Sequence, residues 1–149
     1  MEISVDGGKT KGGLIVWGNF AQNPKELPPL VWAYVGDAVF ELYVRLHLVK
    51  QGLVKVDKLH SKASSLVNAV AQADFLHQLK DMLTEEETYI VRRGRNTKSH
   101  VPKNVGVSEY RLSTGFEALI GYLFLSGAEM RLEEIITYLL SRNEGELGG

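Results

Sequence analysis

Residues 33–45 read AYVGDAVFELYVR, and they place Asp37 and Glu41 four positions apart in an otherwise apolar run, directly after Gly36. Residues four apart stack on one face of a helix, so Ala33, Asp37, Glu41 and Arg45 form a single stripe. Around it lie Val31, Trp32, Tyr34, Val35, Ala38, Val39, Phe40, Leu42, Tyr43 and Val44. A helix apolar on most faces is buried on most faces. A narrow acidic stripe on such a helix lines a cleft or meets another polar group. The plain alternative is a solvent-facing stripe held by a Glu41–Arg45 ion pair.

Working outward, Pro28 and Pro29 suit the first turn of a helix, where a missing N–H does no harm. This predicts a helix over Leu30–Gln51, stopped by Gly52. Asp57 is a candidate cap for a second helix over about Lys58–Val70. A third continues through about Gln72–Met82. Thr84 and Glu87 have capping-box spacing, so a fourth is expected from Glu85 to Gly94. Asn96–Ser108, with Pro102 and Gly106, reads as a loop. A fifth helix is expected over Tyr110–Leu125, ended by Gly127, and a sixth over Arg131–Arg142. Strand-type alternation is nowhere sustained, so the fold class is all-α. Residues 1–26 hold five glycines and little periodicity. They read as a flexible arm, with a short strand at Leu14–Trp17, or as residues of cloning origin. Residues 27–143 form one expected domain, and 144–149 an expected disordered tail.

The 149 residues are 44% hydrophobic and 23% charged, values ordinary for a soluble globular protein. The formal net charge of −1 means that any nucleic-acid surface must be a local basic patch. The absence of cysteine excludes disulfides, thiolate metal sites and a thiol nucleophile, and suits a reducing cytoplasm. No apolar run approaches the roughly 20 residues of a membrane span, and no signal peptide is evident.

A second isolated carboxylate, Glu117, lies in the apolar run TGFEALIGYLFL, one turn after Thr114. A lone buried carboxylate is costly unless paired or metal-bound. Asp37 and Glu117, on separate core helices, could share a divalent cation. Mg²⁺ prefers carboxylate and water oxygens, takes few protein ligands, and can activate water for phosphodiester hydrolysis. The alternative is a pair of ordinary helix-surface acids.

Between Glu87 and Glu109 no residue is acidic, and the gap holds Arg92, Arg93, Arg95, Lys98 and Lys103 beside Asn96 and Asn104. Such a segment can be a solvated loop whose cations complement a helix dipole. It can equally contact a phosphate backbone. No aromatic residues interleave with the cations, so duplex reading fits better than stacking on single-stranded bases. The four histidines make no metal-ligand pair, and His60 and His77 read as packed or surface residues.

Together, YVGDAVFEL and TGFEALIGYLFL resemble, in order and separation, the two motifs of the ribonuclease III family. The resemblance covers about Leu27–Arg142. The segments RRGRNTKS, PKN and STGFEALIGYLFL, with no double-stranded-RNA-binding domain following, are most similar to the stand-alone Mini-III subgroup. The resemblance implies the helical ribonuclease III catalytic domain as a two-fold homodimer. It implies Mg²⁺-dependent cleavage of double-stranded RNA, with Mn²⁺ able to substitute, leaving 5′-phosphate ends. The implied substrate is precursor 23S ribosomal RNA, in a cytoplasmic process of ribosome biogenesis. The family's central aspartate falls on Asp37 and its second-motif glutamate on Glu117, which makes these the implied catalytic and metal-binding residues. The family's other two acids fall on Ala33 and Thr114. Glu41 and Thr114 are then supporting residues around the site. Arg92, Arg93, Arg95, Asn96, Lys98, Lys103 and Asn104 are the implied RNA contacts. The alternative is an inactive helical dimer that binds duplex RNA without cutting it.

Overall fold

A computed structural model describes residues 23–97 and 99–143, so the expected arm and strand before Asn23, Lys98 and the expected tail lie outside the described residues. Six α-helices follow in order: α1 Pro29–Lys50, α2 Val56–Val67, α3 Ala69–Leu79, α4 Glu85–Asn96, α5 Val107–Leu125 and α6 Glu129–Arg142. No strand occurs among the described residues.

The helix ends follow from local chemistry. Pro28 caps α1 in an extended conformation and Pro29 fills its first position. Gly52, at φ 91°, takes the left-handed turn after α1, and Gly127, at φ 75°, does the same after α5. Asn68 ends α2 and caps α3, its Oδ1 accepting from Ala71 N at 2.8 Å. The Thr84–Glu87 capping box is present in full, with distances of 3.1 and 2.9 Å.

Five of the six helices start one to three residues before the expected positions, and two of the boundary differences bear on packing and capping. The second helix starts two residues earlier, so Asp57 sits in its first turn and Lys55 holds the cap position. Gly94 does not end α4. It lies within the helix because a Cβ there would stand 2.7 Å from Ala118 Cβ and 3.1 Å from Gly115 Cα. The glycine is needed for a close helix crossing, and α4 runs on to Asn96.

The central element is α5, which packs against α1, α3 and α4. Phe116, Leu119 and Ile120 are fully buried there, and Phe40 meets Phe75 and Phe116 edge-to-face in a three-ring cluster with centroids 4.9–5.9 Å apart. A smaller cluster joins Trp32, Ala33, Ile90, Ala118 and Tyr122. Pro24–Glu26 forms one 3₁₀ turn against it, with Trp32 Nε1 donating to Pro24 O at 2.7 Å. Arg131 ties α6 to α4: Nε and Nη2 donate to the two Glu87 oxygens at 2.8 Å, and Nη2 also donates to Met82 O at 2.7 Å.

Candidate active site

The site begins with two glycines. A Cβ on Gly36 would overlap the Glu117 carbonyl oxygen and stand 2.8 Å from Gly121 N. A Cβ on Gly121 would overlap the Trp32 carbonyl and stand 2.8 Å from Gly36 N. The backbones of α1 and α5 therefore touch, which only residues without Cβ permit. Asp37 follows Gly36 directly, and Glu117 lies one turn before Gly121. The crossing brings the two carboxylates together.

Their proximity shows in proton affinity. Burial first, then the charge of Asp37 and a hydrogen bond shared with it, push the Glu117 carboxyl from 4.5 up to about 8. The Gln72 amide, from α3, pulls weakly the other way. Two carboxylates held this close in a partly buried place cannot both ionise cheaply. A proton or a cation must resolve the pair.

Ala33 and Thr114 add no anion. Ala33 is 6% exposed and packs in the apolar cluster with Ile90 and Ala118. Thr114 is equally buried and donates its hydroxyl to Tyr110 O at 3.0 Å, one turn back. Among the described residues no group of three or more His, Cys, Asp or Glu is arranged to hold a metal. The donor set is two carboxylate side chains with an open, solvent-facing side at Asp37. That set fits an ion that keeps most of its water, as Mg²⁺ does, and not one that demands a protein cage. Glu41 is ion-paired to Arg45, so the stripe on α1 is both things the sequence allowed. Its Glu41–Arg45 half is a surface pair, and Asp37 turns toward α5.

The basic segment begins on α4, which packs on α5 beside α1. Gly94 approaches Thr114 O and Gly115, and a Cβ on Gly115 would lie 3.5 Å from Arg95 Cβ. The C-terminal end of α4 therefore abuts the same stretch of α5 that carries Glu117. Arg92, Arg95, Asn96, Lys103 and Asn104 are exposed. Arg93 is exposed too, but its guanidinium lies 5.8 Å from the Trp32 and Tyr89 ring centroids and donates to the Tyr89 hydroxyl at 3.0 Å. Part of its charge is thus committed to packing.

Two features of the site go beyond the sequence reading. Gly36 stands out there only as the neighbour of Asp37, and Gly121 only as a glycine inside an apolar helix, a pattern that marks close backbone approach. Gln72 gave no signal, since a lone glutamine in a helix is unremarkable until its burial is known.

With this geometry in view, residues 30–128 match the ribonuclease III domain family. The chain belongs to the ribonuclease III family of endoribonucleases. Within it, the chain is 52% identical to the Mini-ribonuclease 3 of Symbiobacterium thermophilum, over 76% of this chain and 88% of that protein. It is 48% identical to that of Brevibacillus brevis, over 84% and 94%, and 43% identical to that of Clostridium tetani, over 86% and 90%. A crystal structure of a Fusobacterium nucleatum protein superposes with a TM-score of 0.75 at 27% identity, over 80% of this chain and 99% of that one.

Proposed function

We propose that the protein is a Mg²⁺-dependent endonuclease of double-stranded RNA that matures precursor 23S ribosomal RNA in the cytoplasm. The carrying observation is the Asp37–Glu117 pair at the Gly36–Gly121 crossing, with the basic end of α4 packed against the same stretch of α5. Asp37 and Glu117 would hold the cation, with water completing its shell; Mn²⁺ suits the same oxygens. When bound, the ion supplies an activated water and stabilises charge developing on the phosphate. Hydrolysis joins the water oxygen to phosphorus and releases the 3′-oxygen, leaving a 5′-phosphate and a 3′-hydroxyl. The exposed residues Arg92, Arg95, Asn96, Lys103 and Asn104 would grip the duplex backbone, with Lys98 between them in sequence. Mini-ribonuclease 3 relatives support the enzyme class, and the precursor ribosomal substrate is the finer part of the proposal.

A homodimer is part of the same reading. Val31, Tyr34, Leu42 and Val49 of α1 fall at helical spacing, and they are 37%, 82%, 40% and 55% exposed. Apolar residues aligned this way mark an interaction face. Two copies joined there by a two-fold axis would bring two Asp37–Glu117 sites onto one surface, one for each strand. Light scattering at micromolar concentration should give about twice the chain mass of 16.6 kDa. A monomer mass would remove this part of the proposal.

Asp37→Asn is the test of the activity. It keeps the volume and removes the anion, so cleavage of duplex RNA in Mg²⁺ should be lost while the helical circular dichroism is unchanged. Wild-type cleavage by the folded variant would refute the assignment. Wild-type protein that binds duplex RNA in Mg²⁺ but never cuts it would favour the inactive binding module.

A further inference from the structure

Gln72 is the polar member of the buried face of α3, whose other buried residues are Ala73, Phe75, Leu76 and Leu79. It is 2% exposed, and its Nε2 is buried without a hydrogen bond of standard geometry. A buried amide left this way is destabilising, and an apolar side chain would serve packing better. The position is nevertheless firmly mounted. Gln72 N donates to Asn68 O at 3.0 Å, and Asn68 Nδ2 donates back to Ser64 O at 3.0 Å. One turn on, Phe75 packs against Phe116, the residue before Glu117, at 5.9 Å. The amide lies beside the Glu117 carboxylate.

We propose that Gln72 is a positioning residue for the metal-binding carboxylate. Its Nε2 donates to one oxygen of ionised Glu117 and turns the other toward Asp37 and the cation. The inference rests on the proposed function above. It explains why a buried amide is kept where a leucine would pack. It also fits the thinness of this site. Ala33 carries no donor, and the Thr114 hydroxyl is committed to Tyr110 O, so neither can orient Glu117. With only two carboxylates to hold an ion, the orientation of each matters more than in a four-acid site.

The test uses Mn²⁺ alone as probe, followed by electron paramagnetic resonance, with wild type, Gln72→Leu, Gln72→Glu and Asp37→Asn. Partners that orient metal ligands are typically worth about 10–100-fold in affinity. Gln72→Leu should weaken Mn²⁺ binding by about that factor. Its metal-free melting temperature should not fall, because no hydrogen bond of standard geometry is lost. In RNA cleavage, kcat should drop while KM for the duplex stays, since no RNA contact is removed. Gln72→Glu places a third carboxylate at the same spot, so its Mn²⁺ affinity should change while the metal-free fold persists. Should Gln72→Leu fail to fold, Gln72→Glu decides alone. Changed affinity supports the placement, and unchanged affinity overturns it. If Asp37→Asn loses Mn²⁺ but both Gln72 variants bind as wild type, this inference falls and the proposed function stands. If Asp37→Asn also binds as wild type, the proposed function falls first.

Discussion

The paired carboxylates make the stability of the metal-free protein depend on pH in a direction opposite to that of most acidic groups. Glu117 is raised from 4.5 to about 8 by burial and by Asp37, so the folded chain binds a proton that the unfolded chain has released. Between those two values, stability falls as pH rises, and the contribution is fully present only below the unfolded value. At about 1.4 kcal/mol per pH unit the full separation is worth on the order of 5 kcal/mol, and partial exposure of the side chain reduces this to about 3 kcal/mol. The perturbation is Glu117→Gln, which keeps the hydrogen-bonding volume and removes the titration. The assay is the urea midpoint from pH 5 to pH 8 in chelator, for wild type and variant. Wild type should lose ~2 kcal/mol across this range relative to the variant, whose curve should be the flatter of the two. Saturating Mg²⁺ should restore the wild type at pH 8 and leave the variant nearly unmoved, because the cation takes the place of the proton. Parallel curves for the two proteins in chelator would refute the reasoning, since Glu117 would then titrate alike folded and unfolded.

Three further outcomes follow from other contacts. Gly36→Ala puts a methyl into backbone atoms that cannot give way, so it should cost at least the ~1–3 kcal/mol typical of overpacking and abolish cleavage; a wild-type melting temperature and rate would show that α1 and α5 do not touch at this residue. Arg131→Met strips the partner from Glu87, which is 5% exposed, and should cost about 3 kcal/mol by denaturant titration at pH 7, whereas a neutral result would mean that the bidentate pair is not formed. Burial alone would raise the Glu87 carboxyl, but hydrogen bonds from Arg131 and Thr84 lower it, so the pair's contribution should fade as the pH falls below the usual carboxylate range. Replacing Arg92, Arg95 and Lys103 with alanine should flatten the salt dependence of duplex-RNA binding by roughly two to three units and raise KM more than it lowers kcat; an unchanged slope would place the RNA elsewhere.

Much of this protein was open to direct reading. The all-α class, six helices, the Thr84 capping box and the turns at Gly52 and Gly127 all rest on interactions within a few residues. Such interactions leave periodicity and punctuation in the chain, and the two motifs around Asp37 and Glu117 stand out against apolar surroundings for the same reason. What the sequence could not show is any property that depends on which helices meet. Gly94 looked like a helix stop because a glycine is a stop unless a neighbouring helix presses on it, as Ala118 and Gly115 do here. Glu87 looked like a cap and nothing more, because Arg131, its partner, lies 44 residues away. Gln72 looked ordinary, because burial beside Glu117 comes from the packing of α3 on α5 and leaves no mark in its own neighbourhood. The residues of the site are local facts of sequence, but the closeness of Asp37 and Glu117 arises only where Gly36 and Gly121 let two backbones touch.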